Sequence, residues 1–243
     1  MDTDVTRNEN ERVVWMPVGP VTLEGDLGIP EGAKGIVVFA HGSGSSRRSP
    51  RNRFVAQTLR QGGLATLLFD LLTQEEEVMD MWSGHLRFNI GLLADRLVGV
   101  TDRVIRNQDT QKLRIGYFGA STGAAAALVA AADRPGAVNA VVSRGGRPDL
   151  AGPALPHVKA PTLLIVGGAD VPVITLNEEA LAKLRVEKRL VVVPGASHLF
   201  EEPGALEEVA RLALDWFDRY LTHAGAPAPS YAPAEEQPEA GQP

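Results

Sequence analysis

Short apolar runs alternate with segments of helical periodicity along most of the chain. Six of these runs are almost continuously apolar, as strands buried on both faces of a parallel sheet are. They lie at 35–41, 64–70, 113–119, 138–144, 161–167 and 189–194. Two earlier runs, 12–18 and 20–28, have polar edges and predict an antiparallel hairpin. The pattern therefore predicts about eight strands in a mostly parallel sheet, of which the first two are antiparallel.

Segments between the runs carry the signals of helices. Ser49 is suited to cap a helix that begins with a proline, and Gly62 follows the expected end of that helix. Apolar residues recur at helical spacing in 87–107, and 121–132 is rich in alanine. The segment 204–221 places its apolar residues along one broad stripe. Strands and helices that alternate in this way predict an α/β fold, in which helices flank the sheet.

The two ends of the chain differ from the part between them. Residues 1–11 are polar and lack the apolar stretch of a signal peptide, and residues 223–243 contain five prolines. We expect a polar extension over 1–11, a single domain over 12–222 and a disordered tail over 223–243. No apolar run approaches the ~18 residues of a membrane span. A cytoplasmic protein without membrane contact is therefore expected.

Composition removes several classes of function. The 243 residues include 24 Lys and Arg against 30 Asp and Glu, which gives a formal net charge of −6. This balance disfavours nucleic-acid binding, which needs a net basic face. The chain has no cysteine, so disulfides, thiolate metal sites and a cysteine nucleophile are all excluded. The remaining residues suggest neither a metal site nor a cofactor fingerprint, and we expect no metal and no cofactor.

A G-x-S-x-G motif supplies a candidate nucleophile. Residues 119–123 read Gly-Ala-Ser-Thr-Gly, directly after a predicted strand and directly before a predicted helix. This strand–turn–helix context is the one in which a nucleophilic serine is displayed. A side chain two positions either side of Ser121 would collide with the neighbouring strand or helix, and glycine removes that collision. Ser121 is therefore the expected nucleophile, and a purely structural turn is the alternative.

A serine nucleophile needs a base, and the base needs a carboxylate to orient it. On this type of fold the chain order is serine, acid, histidine. His198 is the one histidine that follows the last predicted strand within the domain, and Asp170 ends the Gly-Gly-Ala-Asp segment after the preceding strand. Taken singly, His198 could be an ordinary loop histidine and Asp170 a helix cap. Their order and their places at strand ends predict the triad Ser121–Asp170–His198, with Asp149 as the rival acid.

Two backbone N–H groups are expected to form an oxyanion hole. One is that of Thr122, which follows the nucleophile, and the other comes from the loop after the strand 35–41. That loop reads His-Gly-Ser-Gly-Ser-Ser, and Ser43 is its favoured donor, with Gly44 as the alternative. His41 is expected to be structural and to hydrogen-bond neighbouring loops.

Several residues are candidates for substrate contacts. Only about 16 residues, 145–160, connect two predicted strands beyond the motif, which leaves little room for a lid. Arg144 ends a strand near the site and could hold a substrate carboxylate. Trp82, His85 and Phe88 either line a pocket or belong to the core of a long connection. A further group of arginines is better explained as a solvated surface paired with acidic neighbours: Arg47, Arg48, Arg51 and Arg53.

These motifs together give the chain a family resemblance. It resembles the α/β-hydrolases and, within them, the dienelactone-hydrolase-like group. The matching segments lie at 41–44, 69–77, 86–90, 119–123, 143–150, 167–170 and 195–198. The Asp-Leu-Leu-Thr stretch and the Ser-Arg-Gly-Gly-Arg-Pro-Asp-Leu stretch are similar to that group in particular, including hydrolase modules fused to phosphoribosyltransferases.

The resemblance implies an α/β-hydrolase fold and hydrolysis of a small ester or lactone without a cofactor. It also implies nucleophile, acid and base roles for Ser121, Asp170 and His198. Dienelactone hydrolase itself uses a cysteine nucleophile, and the loop 41–44 lacks the glutamate that partners that cysteine. A serine favours a general carboxylesterase. The alternatives are a thioesterase or peptidase with the same triad, or a non-catalytic ligand-binding protein on this fold.

Overall fold

Eight strands form one sheet in the part of the chain that the structure, a computed structural model, describes, which is residues 11–223. The predicted polar extension and disordered tail lie outside the described residues, apart from Glu11 and His223. The strands are β1 Glu11–Val18, β2 Val21–Gly28, β3 Gly35–Ala40, β4 Ala65–Phe69, β5 Arg114–Ala120, β6 Val138–Arg144, β7 Thr162–Gly167 and β8 Lys188–Val193.

The strand order is β1-β2-β4-β3-β5-β6-β7-β8. β2 pairs antiparallel with both β1 and β4, whereas every pair from β4 to β8 is parallel. The chain therefore begins with a hairpin and continues as a doubly wound α/β sheet. This arrangement confirms the predicted fold class, and it brings the carboxyl ends of β3, β5, β6, β7 and β8 to one edge, where ligands of open α/β sheets bind.

Six helices flank the sheet in the described residues. They are α1 Pro50–Gln61, α2 Gln74–Ser83, α3 Ile90–Arg106, α4 Thr122–Asp133, α5 Val171–Lys183 and α6 Ala205–Phe217. α1 and α6 pack together over one face, while α3, α4 and α5 lie on the other. Alternate residues of β3 show why both faces are apolar: Val37 and Phe39 join the first core, and Ile36 and Val38 join the second.

Connections between these elements set the shape of the site. β6 and β7 are joined by a short 3-10 segment, Pro148–His157, and not by a large lid. The longer connection lies between β4 and α3 and contains α2, whose capping box joins Thr73 and Glu76. α3 begins at Ile90 because the Asn89 side chain accepts the Leu92 N–H and caps it. Within residues 11–223, no helix is long and apolar enough to cross a membrane.

α4 lies unusually close to the sheet at its first turn. Ala124, Ala125, Ala126 and Ala127 are completely buried. A Cβ atom at Gly123 would stand 2.2 Å from the Ala40 carbonyl oxygen at the end of β3. A Cβ at Gly119 would stand 2.4 Å from Ala124 Cα. Glycine at both positions is therefore required by backbone contacts that cannot move aside.

We expect Gly123→Ala to lower the free energy of unfolding by about 3 kcal/mol or more, because the added methyl group meets backbone atoms of β3. The matched control is Gly91→Ala in the first turn of α3. Its Cβ meets only the Asn89 side chain at 3.6 Å, so that variant should be neutral or stabilised by up to ~1 kcal/mol. Urea unfolding of the two purified variants measures both values. Equal stabilities would contradict the steric account.

Candidate active site

Ser121 stands at the turn between β5 and α4 in a strained backbone conformation. Its φ is 50° and its ψ is −121°, and it is one of two described non-glycine residues with positive φ. Such a conformation costs of order 1–3 kcal/mol and persists only where the surroundings enforce it. Here the close contacts of Gly119 and Gly123 enforce it. The turn lifts Ser121 to the edge of the sheet, where its side chain is partly exposed.

His198 and Asp170 come together on the loops after β8 and β7. Nδ1 of His198 lies 2.7 Å from Oδ2 of Asp170. Asp170 occupies the position before α5, yet its side chain makes no capping hydrogen bond there, because it is directed to His198. Asp149 instead receives two hydrogen bonds, of 2.9 and 2.8 Å, from the Arg147 guanidinium. The geometry thus joins His198 to Asp170 and not to the rival carboxylate.

The backbone around Arg144 connects this pair to Ser121. The Ser121 N–H donates to the Arg144 carbonyl at 3.3 Å. A Cβ on the next residue, Gly145, would stand 3.6 Å from Cε1 of His198. The imidazole therefore lies beside the segment that holds Ser121. Among the described residues no hydrogen bond links the Ser121 hydroxyl to His198; such contacts often tighten only when substrate binds.

The loop after β3 reaches the first turn of α4 through one hydrogen bond. The Ser43 N–H donates to the Thr122 hydroxyl oxygen at 2.9 Å. Thr122 is buried, and its own N–H belongs to the first helical turn, which offers it no intrahelical acceptor. Gly44 has a φ of 69° and turns the loop away after Ser43. The structure therefore places Ser43 and Thr122 together, in contact through the threonine side chain.

His41 holds the start of the same loop as a neutral imidazole. Its Nε2 accepts the Leu71 N–H at 3.0 Å, so its Nδ1 carries the proton that is donated to the Gly42 carbonyl at 3.0 Å. Burial lowers the pKa of His41, and this outweighs the opposing effects of the Gly42 carbonyl and Asp70. Nε2 thus ties the loop to the segment after β4 and Nδ1 holds the loop's own backbone, as the structural role expected for His41 requires.

Arg47 anchors the other end of the loop in a buried ion cluster. Its guanidinium pairs with Glu24, Asp26 and Asp70, and its backbone N–H donates to Asp70 at 2.8 Å. The acidic neighbours expected for this arginine group are present, but Arg47 is buried and not part of a solvated surface. Arg48 is exposed, and Arg51 pairs with Glu201 at 3.1 Å. Sequence pattern could not separate these cases, because the carboxylates come from distant segments: β2, the residue after β4 and the loop after β8.

Arg144 is a buried cation without a carboxylate partner among the described residues. Its side chain is 6% exposed, and its Nη2 donates to the Asn52 side chain at 3.2 Å. The guanidinium also lies over the Phe200 ring, 6.0 Å from its centre, and its Nε has no hydrogen-bond partner. Burial, reinforced by repulsion from Arg51, lowers the pKa of Arg144 to about 10. The group therefore remains charged at neutral pH, with its charge incompletely compensated.

A cavity of about 600 Å³ adjoins the Ser43 loop. Its walls are that loop, the start of α1 and the connection between β4 and α3, from which Glu77, Asp80, Met81 and Arg87 face it. Gly42, in its wall, lies close to Ser121: a Cβ there would stand 3.0 Å from Ser121 Cβ. Ser121 itself is not among the residues that line the cavity, so the cavity adjoins the Ser121 turn through Gly42.

The structure does not place Trp82, His85 or Phe88 in this cavity. All three are exposed, Trp82 to 90%, so they do not belong to the core either. Glu77, Asp80 and Met81 are spaced three and four residues apart, which brings them to one side of α2 and turns Trp82 outward. That spacing was the signal in the sequence that could have identified Glu77, Asp80 and Met81 as the residues facing the cavity. Within residues 11–223, no three acidic or histidine side chains cluster as metal ligands would.

Comparison with known proteins places this chain in a family. A model of the dienelactone hydrolase family matches residues 23–222. A dienelactone hydrolase from Anabaena variabilis has a crystal structure that is 69% identical in sequence, with a TM-score of 0.86 over 87% of this chain and 98% of that one. Est1E from Butyrivibrio proteoclasticus shares the fold, with a TM-score of 0.69 at 15% identity over 84% of this chain and 98% of that one.

One curated relative is about twice as long as the part of it that this chain matches. This chain is 58% identical over 224 residues to a Mycobacterium tuberculosis protein whose name assigns it provisionally to the phosphoribosyl transferases. The match covers 92% of this chain and 48% of the relative. The chain therefore spans about half the length of the curated relative that it matches.

We expect His41 to make folding stability depend on pH. Its pKa is lowered in the folded state, so below about pH 6.5 the His41 side chain is protonated to a greater extent in the unfolded chain than in the folded one. The contribution of His41 is thus present above this pH and is lost as the pH falls, by up to about 1.4 kcal/mol per unit. His41→Gln should flatten the decline of unfolding free energy between pH 6.5 and 5. The exposed His157→Gln is the control and should keep the wild-type slope; equal slopes in all three proteins would contradict the assignment.

Proposed function

Because this chain belongs to the dienelactone hydrolase family, and is an α/β-hydrolase of esterase type, we propose that it cleaves small carboxylic esters or lactones through a serine triad. Ser121 is the nucleophile, His198 the base and Asp170 the group that orients His198. The observation that carries the proposal is the 2.7 Å contact between His198 and Asp170 beside the strained Ser121 turn. The site needs no metal or cofactor for this reaction.

The hydrogen bond between His198 and Asp170 supports these roles. When Nδ1–H of His198 donates to Asp170, the Nε2 lone pair is left to accept the Ser121 proton. The serine oxygen then attacks the carbonyl carbon, and the carbonyl oxygen becomes an oxyanion. The His198 cation, stabilised by Asp170, returns the proton to the leaving alcohol. Water repeats the sequence on the acyl-enzyme and releases the acid.

We expect Ser121→Ala to abolish hydrolysis of p-nitrophenyl acetate and labelling by a fluorophosphonate probe, because both need the Ser121 oxygen. Ser83→Ala, a change at an exposed serine at the end of α2 that does not line the cavity, is the control and should keep both. Ester turnover measured by absorbance and probe labelling seen on a gel report the two properties separately. A wild-type protein that neither turns over nor labels would overturn the proposal and favour a non-catalytic binding protein. Turnover retained in Ser121→Ala would place the nucleophile elsewhere.

Arg144 suggests the charge of the substrate. A buried guanidinium whose charge is incompletely compensated is costly, and an anion bound beside it would lower that cost. Planar carboxylates match the guanidinium fork, and Asn52 on one side leaves other N–H groups available. We propose that Arg144 favours esters or lactones that also carry a carboxylate.

We expect Arg144→Gln to reduce kcat/KM for p-nitrophenyl hydrogen glutarate by about 10- to 100-fold, the effect of one charged hydrogen bond. The value for p-nitrophenyl butyrate, which lacks the carboxylate, should change little. Arg185→Gln removes the same charge from an exposed position and is the matched control. Steady-state kinetics of the two variants on both esters test this. An equal loss on the neutral and the anionic ester would show that Arg144 is only structural.

A further inference from the structure

The hydroxyl group of Thr122 lies against the loop from which a backbone donor to the oxyanion is expected. The loop donor in such a hole is normally a free backbone N–H that points at the reacting oxygen. Here the Ser43 N–H is already used, because it donates to Thr122 Oγ1 at 2.9 Å. A substrate oxygen cannot take this N–H in full while that bond persists. The side chain of Thr122 therefore stands between the loop and the site.

The Thr122 hydroxyl has a proton without an acceptor. The group is 4% exposed, and the hydrogen bond from Ser43 uses it only as an acceptor. Among the described residues nothing accepts its own proton. A buried hydroxyl proton without a partner costs free energy, which an acceptor entering the site would recover. The Thr122 N–H, on the same residue, is also without an intrahelical acceptor.

From these contacts, and on the basis of the proposed function, we infer that the Thr122 hydroxyl is itself a donor to the oxyanion. The Ser43 N–H does not reach the oxygen directly but polarises the hydroxyl that does. A chain of this kind, N–H to hydroxyl to oxyanion, strengthens the terminal bond. The oxyanion hole then consists of the N–H and O–H groups of Thr122, with the Ser43 loop behind them. No proton is transferred: the hydroxyl keeps its hydrogen throughout.

The role makes Thr122 a catalytic residue whose side chain acts mainly in the transition state. Charge on the substrate oxygen develops only when Ser121 attacks, so a donor aimed at it affects kcat more than KM. Thr122→Val keeps the size, the β-branch and the backbone N–H but removes the hydroxyl. Thr122→Ser keeps the hydroxyl and removes a methyl group. The two substitutions therefore separate the chemistry of the side chain from its packing.

The experiment measures kcat and KM for p-nitrophenyl acetate with the wild type, Thr122→Val, Thr122→Ser and Thr122→Ala. We expect Thr122→Val and Thr122→Ala to lower kcat by about 10²- to 10³-fold, as loss of one oxyanion donor does, with KM little changed. Thr122→Ser should stay within about ten-fold of the wild type. If Thr122→Val does not fold, as judged by thermal melting, the comparison of Thr122→Ala with Thr122→Ser carries the same test.

A trifluoromethyl ketone provides a second readout. Its carbonyl carbon bonds to Ser121 and its oxygen becomes an oxyanion, so its affinity should fall in Thr122→Val by a factor similar to the loss in kcat. Unchanged or increased kcat in Thr122→Val, with an active wild type, would overturn this inference alone and show that the hydroxyl moves aside for Ser43. A wild type that neither hydrolyses the ester nor binds the ketone would overturn the proposed function and the inference together.

Discussion

The contact between the first turn of α4 and the end of β3 is the constraint on which the site depends. Gly123 lies so close to the Ala40 carbonyl that no side chain fits between them. This contact fixes the direction of α4 and forces the turn at Ser121 into its positive φ. It also brings Thr122 within hydrogen-bond reach of Ser43. One steric requirement thus positions Ser121 and the Thr122 hydroxyl that we infer to face the oxyanion.

Two kinds of polar anchor hold the loop that faces α4. At one end the neutral His41 joins the loop to Leu71, and at the other Arg47 lies among three carboxylates. A loop rich in glycine and serine would otherwise lose much conformational entropy when it is ordered. Because the anchors order the loop when the protein folds, this entropy is lost on folding and not on substrate binding. The Ser43 contact is therefore already formed before any substrate arrives. Preorganised donors of this kind stabilise charge at little cost during the reaction.

Charges are divided unevenly around the site. Arg47 is compensated by Glu24, Asp26 and Asp70, whereas within residues 11–223 the partners of Arg144 are the Asn52 amide and the Phe200 ring. The two arginines are both buried, so their difference cannot come from exposure to solvent. It comes from the neighbouring elements, since β2 and the residue after β4 supply carboxylates to Arg47, and none of the described residues supplies one to Arg144. A cation paired with carboxylates is suited to a structural role, and a cation without such partners is suited to binding an anionic ligand.

The sequence by itself determined the strands, the helices and the fold class, because the apolar period and the helix-end residues are local signals. The motif around Ser121, with Asp170 and His198 in the expected order, could also be found in the sequence, since the fold assigns each a strand end. The partners of side chains were decided only by tertiary structure. The carboxylates around Arg47, the outward direction of Trp82 and the bond from Ser43 to Thr122 depend on elements far apart in the chain. The local sequence pattern shows which interactions a residue is able to make, and tertiary packing decides which neighbour it makes them with.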